Sequence, residues 1–143
     1  MVDQFLTDTI EIDVDLISDG KEVYIAGTLE HLEPAGVHSG DSTAVIPPFS
    51  INDEILREIE EKSKKLALGL NVKGLLNIQF AIKDEELFIL EANPRASRTM
   101  PFVAKVTGNQ IIKAGTLLML GYSIEEVKNL SLIHISEPTR RTP

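Results

Sequence analysis

An α+β fold, an antiparallel sheet with flanking helices, is expected from three features of this sequence. The run from Thr9 to Ile17 alternates Ile10, Ile12, Val14 and Leu16 with Glu11, Asp13 and Asp15, the period-two pattern of a strand with one apolar face. Two further runs, Asn77 to Lys83 and Leu87 to Asn93, are separated only by the polar Asp84-Glu85-Glu86 and read as a hairpin. Between these strand regions lies a heavily charged stretch whose apolar residues recur at helical spacing.

Taken in order, Ser18-Asp19-Gly20-Lys21 is a turn, and Glu22 to Leu29 returns as a second strand. His31 to Pro48 is rich in Gly, Pro, Ser and Asp without a period, so it is expected to be a loop. Loops of that length in a compact domain tend to be functional. Ser50 or Asn52 can cap a helix running to about Leu70, with Ile55, Ile59, Leu66 and Leu70 as its buried stripe. A second helix is expected from Asn109 to Leu120, stopped by Gly121, and a short one from Ile124 to Leu130 behind a Ser123 cap.

The 143 residues suffice for one modest domain, and 43% hydrophobic with 25% charged residues is ordinary for a globular chain. No apolar run is long enough to span a bilayer, and Met1-Val2-Asp3-Gln4 has neither the basic nor the apolar region of a leader. Cysteine is absent, which removes disulfide and thiol chemistry and makes a cytoplasmic location the expectation. A net charge of −8 and aromatics at 5% argue against nucleic-acid binding, which draws on excess Lys and Arg and on stacking rings. Membrane association is not expected either.

The stretch Glu91-Ala92-Asn93-Pro94-Arg95, together with Gln79, carries the chemistry. With a three-residue loop at Asp84-Glu85-Glu86, Lys83 faces Leu87 and Gln79 faces Glu91, so that Gln79, Glu91 and Asn93 share one face. Ile78, Phe80, Ile82, Phe88 and Leu90 then fall on the other. A two-residue turn would shift the register by one and mix polar with apolar residues, so the three-residue loop is expected. An amide, a carboxylate and a second amide suit a hard cation such as Mg²⁺, and Arg95 and Arg98 beside them suit phosphate or carboxylate recognition. From this stretch alone, a metal site and a solvated polar strand end account for the residues equally well.

Gly36-Val37-His38-Ser39-Gly40 within the long loop could bring backbone amides, a hydroxyl and an imidazole to a polyphosphate. Taken alone it reads better as a surface turn, and it matches neither a Walker A loop nor a Rossmann fingerprint. His38 suits a structural hydrogen bond as well as proton chemistry.

Together, Glu11-Ile-Asp-Val-Asp15, Glu30-His-Leu-Glu-Pro-Ala-Gly-Val-His-Ser-Gly-Asp-Ser42, Asn77-Ile-Gln-Phe-Ala81 and Glu91-Ala-Asn-Pro-Arg-Ala-Ser-Arg-Thr-Met-Pro-Phe102 resemble the large chain of carbamoyl-phosphate synthase. That enzyme has two homologous ATP-grasp halves. Val37-His38-Ser39 and Ser97 to Val103 are closer to the C-terminal half, which phosphorylates carbamate. The resemblance covers residues 2 to about 130. It implies an ATP-grasp ligase, in which Gln79, Glu91 and Asn93 hold Mg²⁺ or Mn²⁺ against ATP, and Arg95 and Arg98 are catalytic, beside the transferred phosphoryl group and carbamate. Leu6 and Glu11 match positions around adenine and ribose, and Gly36, Val37, His38 and Ser39 match a second nucleotide-contacting segment.

It also implies partners: the remainder of the large chain and a glutaminase small subunit. The preceding subdomain, whose glycine-rich loop closes over the phosphates, has no counterpart in this sequence, so the fragment alone is expected to be inactive. Ser131 to Pro143 resembles a translated sequencing-adapter read-through and is expected to be foreign or unstructured. The alternatives are another ATP-grasp carboxylate-amine ligase or carboxylase, and a non-catalytic nucleotide-binding module. Intact Gln79, Glu91, Asn93 and Arg95 count against the module.

Overall fold

Alternation along the first strand decides the layering of the molecule. A computed structural model describes residues 6–32 and 43–134. Strand β1, Ile10–Asp19, lies at the centre of a five-stranded antiparallel sheet, between β2, Val23–His31, and β4, Lys73–Lys83. The edges are β3, Ala44–Val45, beside β2, and β5, Glu86–Asn93, beside β4. Ile12, Val14 and Leu16 point to one face, where they join Leu76, Ile78 and Phe80 and the helix α1, Asp53–Gly69. Ile17, Leu29 and Leu75 point to the other, under α2 (Met100–Thr107), α3 (Ile111–Met119) and α4 (Ile124–Asn129). Each such buried aliphatic side chain contributes roughly 1.5–3 kcal/mol, so each helical layer is held chiefly by its apolar stripe.

The α+β architecture agrees with the sequence expectation, and several details do not. In α1 the Asn52 side chain accepts a hydrogen bond from the Ile55 amide at 2.8 Å, the capping arrangement its position suggested. Its buried stripe is Ile55, Ile59, Ser63 and Ala67, whereas Leu70 lies at the C-cap and is 55% exposed. Strand β4 begins at Lys73 rather than Asn77, and Ala44–Val45 forms a short strand inside the stretch read as loop. Helix α2 was not anticipated, because Pro101 and Gly108 bracket a segment too short to show a period. Pro101 falls in its first turn, where a missing N–H costs nothing, and Gly108 ends it in the left-handed conformation.

The hairpin corrects the register argument. Lys83 pairs with Glu86, not Leu87, so the turn holds only Asp84 and Glu85, both at positive φ. The pairing then runs Ile82–Leu87, Ala81–Phe88 and Phe80–Ile89, and shifts between Gln79 and Phe80 so that Gln79 faces Glu91. The surplus residue expected in the turn is Leu90, left unpaired in a β-bulge. Leu87 and Ala92, not Phe88 and Leu90, therefore sit against the apolar face of β4.

Of the segment read as foreign, Ser131 to His134 are described. Leu132 and Ile133 are buried against the α2–α4 layer, and the Leu132 carbonyl accepts from the Gln110 amide at 2.7 Å. Residues 135–143 lie outside the described residues.

Candidate functional site

The face of the sheet opposite α1 is apolar at one end and polar at the other, because β1 places Glu11, Asp13 and Asp15 in line with Ile17. The polar end is a cavity of about 440 Å³. Glu11, Asp13 and His31 line it from the central strands, Asn77 and Gln79 from β4, Leu90 and Glu91 from β5, and Arg95, Ser97, Arg98 and Thr99 from the segment leading into α2. Glu91 and both arginines are exposed on its walls, while Asp13 at its floor is only 2% exposed and Asp15, 0% exposed, lies behind the lining residues Asn77, Ser97 and Thr99.

The floor is a polar network. The Asn77 side-chain amide donates to Asp15 Oδ1 at 2.8 Å and to Asp13 Oδ1 at 3.2 Å. Asp13 Oδ2 is in close contact with His31 Nε2, a buried pair that becomes ionic when the imidazole is protonated. Ser97 Oγ donates to Asp15 Oδ1 at 2.9 Å, Thr99 Oγ1 to Asp15 Oδ2 at 2.5 Å, and the two hydroxyls lie 2.7 Å apart. Burial pushes the Asp15 carboxyl above its ordinary value; Asp13 adds to this, and the hydrogen bonds from Thr99, Asn77 and Ser97 oppose it. Two hydroxyl hydrogens serve three oxygen–oxygen contacts here, so a proton on Asp15 would complete the ring. Burial favours that same state.

The residues singled out in the sequence are placed as follows. Gln79 and Glu91 face each other across β4 and β5, and Glu11, Arg95 and Arg98 share their cavity. Asn93 lies two residues beyond Glu91, opposite Asn77 and on the same side of the strand, but is not on the cavity wall. Leu6 is half-buried and does not line the cavity. Gly36, Val37, His38 and Ser39 lie outside the described residues. Among the described residues no group of three or more His, Cys, Asp or Glu side chains is placed to hold a metal ion. The set Gln79, Glu91 and Asn93 has one carboxylate and two amides. That donor set suits a hard cation whose remaining ligands are water and substrate phosphate, rather than one in a complete protein cage.

Among the described residues no acidic side chain neutralises either arginine. Among the described residues Arg98 has no ion-pair or hydrogen-bond partner, and Arg95 donates only to the Ala96 carbonyl at 3.1 Å. The two guanidinium groups offer anions planar donors at this end of the sheet, although Glu11, Asp13 and Glu91 share the lining and the whole chain carries −8. The sequence reading missed Asp15, Asn77, Ser97, Thr99 and His31 as parts of the site. Asp13 and Asp15 carried a signal, since two acids alternating with core residues on a central strand must be covered by something polar.

Solved structures share this architecture. The biotin carboxylase domain of a single-chain bacterial carboxylase superimposes with a TM-score of 0.74 at 16% identity, over 87% of this chain and 29% of that one. A single-chain, multi-domain long-chain acyl-CoA carboxylase does so with the same TM-score at 17% identity, over 87% of this chain and 13% of that one. At such identities the likeness carries the fold, which is the C-terminal part of the ATP-grasp fold, and not the chemistry.

Sequence comparison is more specific. The profile of the family described as carbamoyl-phosphate synthase L chain, ATP binding domain, matches residues 1–127, and the chain belongs to that family. It is 54% identical over 141 residues to the carbamoyl phosphate synthase large chain of Methanobrevibacter smithii, covering 95% of this chain and 13% of that one. To the large chain of Corynebacterium glutamicum it is 49% identical over 133 residues, covering 93% and 12%. To the separate C-terminal section of the large chain in Aquifex aeolicus it is 50% identical over 127 residues, covering 89% and 24%. The chain thus spans about an eighth of the two complete large chains and a quarter of the C-terminal section.

Proposed function

We propose that this chain supplies the floor of an ATP site in a ligase that makes carbamoyl phosphate from bicarbonate, glutamine-derived ammonia and ATP, at the site that phosphorylates carbamate. The observation that carries the reading is the pairing of Gln79 with Glu91 in a cavity that also holds Arg95 and Arg98. The match to a free-standing C-terminal section supports assignment to the carbamate-phosphorylating half.

In this reading Glu11 and Gln79 contact the nucleotide, with Leu6 and Gly36 to Ser39 completing its surroundings. Arg95 and Arg98 neutralise charge on the transferred phosphoryl group and orient the carbamate oxygen that attacks it, so catalysis consists of alignment and charge stabilisation. Mg²⁺ or Mn²⁺, held by Gln79, Glu91 and Asn93, would supply further neutralisation of the phosphate oxygens. The remainder of the large chain provides the subdomain that closes over ATP, and a glutaminase subunit provides ammonia. The 143 residues alone are then inactive, and the whole enzyme works in the cytoplasm, in the routes to pyrimidines and arginine.

The test is a chain extended to the length of the relatives' C-terminal section, assayed for ATP formation from ADP and carbamoyl phosphate. Activity is expected, and Glu91→Gln should lower it at least about a hundredfold, with partial recovery at raised Mn²⁺. An inactive extended wild type would overturn the carbamate assignment.

A further inference from the structure

The segment that carries both arginines, Pro94 to Thr99, has no secondary structure of its own, yet it must hold two long side chains toward one cavity. What fixes it is a side chain that the proposed chemistry does not use. Asp15 is 0% exposed and, among the described residues, no Lys or Arg pairs with it. Its carboxyl is instead committed to Asn77 of β4 and to Ser97 and Thr99, the residues on either side of Arg98.

Two independent observations support a dedicated tether. Thr99 occupies the N-cap position of α2 but makes no side-chain capping bond; its hydroxyl reaches Asp15 instead. Directly opposite Asp15 on β2 is Gly27, where an added Cβ would lie 2.8 Å from Val103 Cγ1, so the missing side chain lets α2 settle on the sheet beside the tether. The β-bulge at Ala26, next to this pair, falls where such irregularities re-aim side chains near functional sites.

We propose that Asp15 is a positioning residue: through Ser97 and Thr99 it locks the approach to α2, and so holds Arg95 and Arg98 where an oxyanion of the phosphoryl acceptor or its product binds. This rests on the carbamoyl phosphate reading above. Asp15 contacts neither nucleotide nor phosphate; it acts only through the arginines. Misplacing such groups by about 1 Å can cost up to about a hundredfold in rate.

The experiment uses the same extended chain with the double substitution Ser97→Ala/Thr99→Val and, as the conservative control, Thr99→Ser. The double variant should raise the KM for carbamoyl phosphate about tenfold or more while the KM for ADP stays within about twofold, and Thr99→Ser should behave as wild type. Amide hydrogen exchange across residues 95–99 should quicken about tenfold in the double variant and not in Thr99→Ser, whether or not the chain turns over. Unchanged exchange, or equal rises in both KM values, would overturn the tether. An inactive wild type with fast exchange in the double variant would remove the carbamate reading but leave the tether standing.

Discussion

Asp15 and Asp19 lie four residues apart on β1 and are driven in opposite directions. Burial works against ionisation of Asp19 too, but the backbone amides of Glu22, Ile124 and Lys21 outweigh it and hold this carboxyl below its ordinary value. For Asp19, the stability it contributes is present at neutral pH and lost as the pH falls through its lowered pKa. For Asp15, with its pKa raised in the folded state, the contribution is full in acid and lost as the pH rises through that pKa. Asp15→Asn keeps the shape of the neutral acid and removes the charge. It should therefore raise the melting temperature wherever wild-type Asp15 is ionised, with the gain shrinking as the pH falls and the wild-type carboxyl takes up its proton. A variant less stable than wild type at pH 7 would show that the ionised form is the stabilising one. A carboxyl whose ionisation is opposed by burial, yet which is committed to Ser97 and Thr99, fits a residue kept for positioning.

Elements were legible where one period ran long enough to be counted. Helix α1 and strand β1 fall within a residue or two of expectation, because their apolar spacing persists over several turns or alternations. The helix α2 and the strand β3 were too short for a period, and tertiary packing decides them. The pairing of Gln79 with Glu91 came out as expected although the turn and the facing of Phe88 and Leu90 did not, since the bulge at Leu90 restores the expected register only on the Glu91 side of it. The turn was hard to read because Asp84-Glu85 lacks the glycine that positive φ favours: Glu85 sits at φ 62°. Glu85→Gly should accordingly stabilise the chain by about 1 kcal/mol, read from the denaturation midpoint without a change in slope.

At the scale of the whole molecule, the sheet is clasped by α1 on one side and by α2 to α4 on the other, and the second clasp depends on close approach. A Cβ on Gly115 would lie 2.6 Å from Leu75 Cγ and 2.7 Å from its Cδ2, well inside contact distance. Gly115→Ala should cost about 1–3 kcal/mol by overpacking this layer, whereas Gly69→Ala, with nothing within 4 Å, should be neutral or slightly stabilising. Equal effects of the two in thermal denaturation would mean that the layer yields freely. The acidic balance of the chain and the placing of Arg95 and Arg98 beside Glu91 were plain from its sequence, but the anchoring of that segment on Asp15 was not, since only the fold brings the approach to α2 onto β1.

The bulge at Leu90 separates two jobs that a hairpin usually performs together. Because the surplus residue is absorbed between Ile89 and Glu91, the facing of Glu91 is set at the bulge and not at the Asp84-Glu85 tip. A spliced-in epitope tag or a tethered fluorophore at that tip would ride on the molecule as a passenger, reporting on the sheet edge without disturbing the chemistry a few residues away.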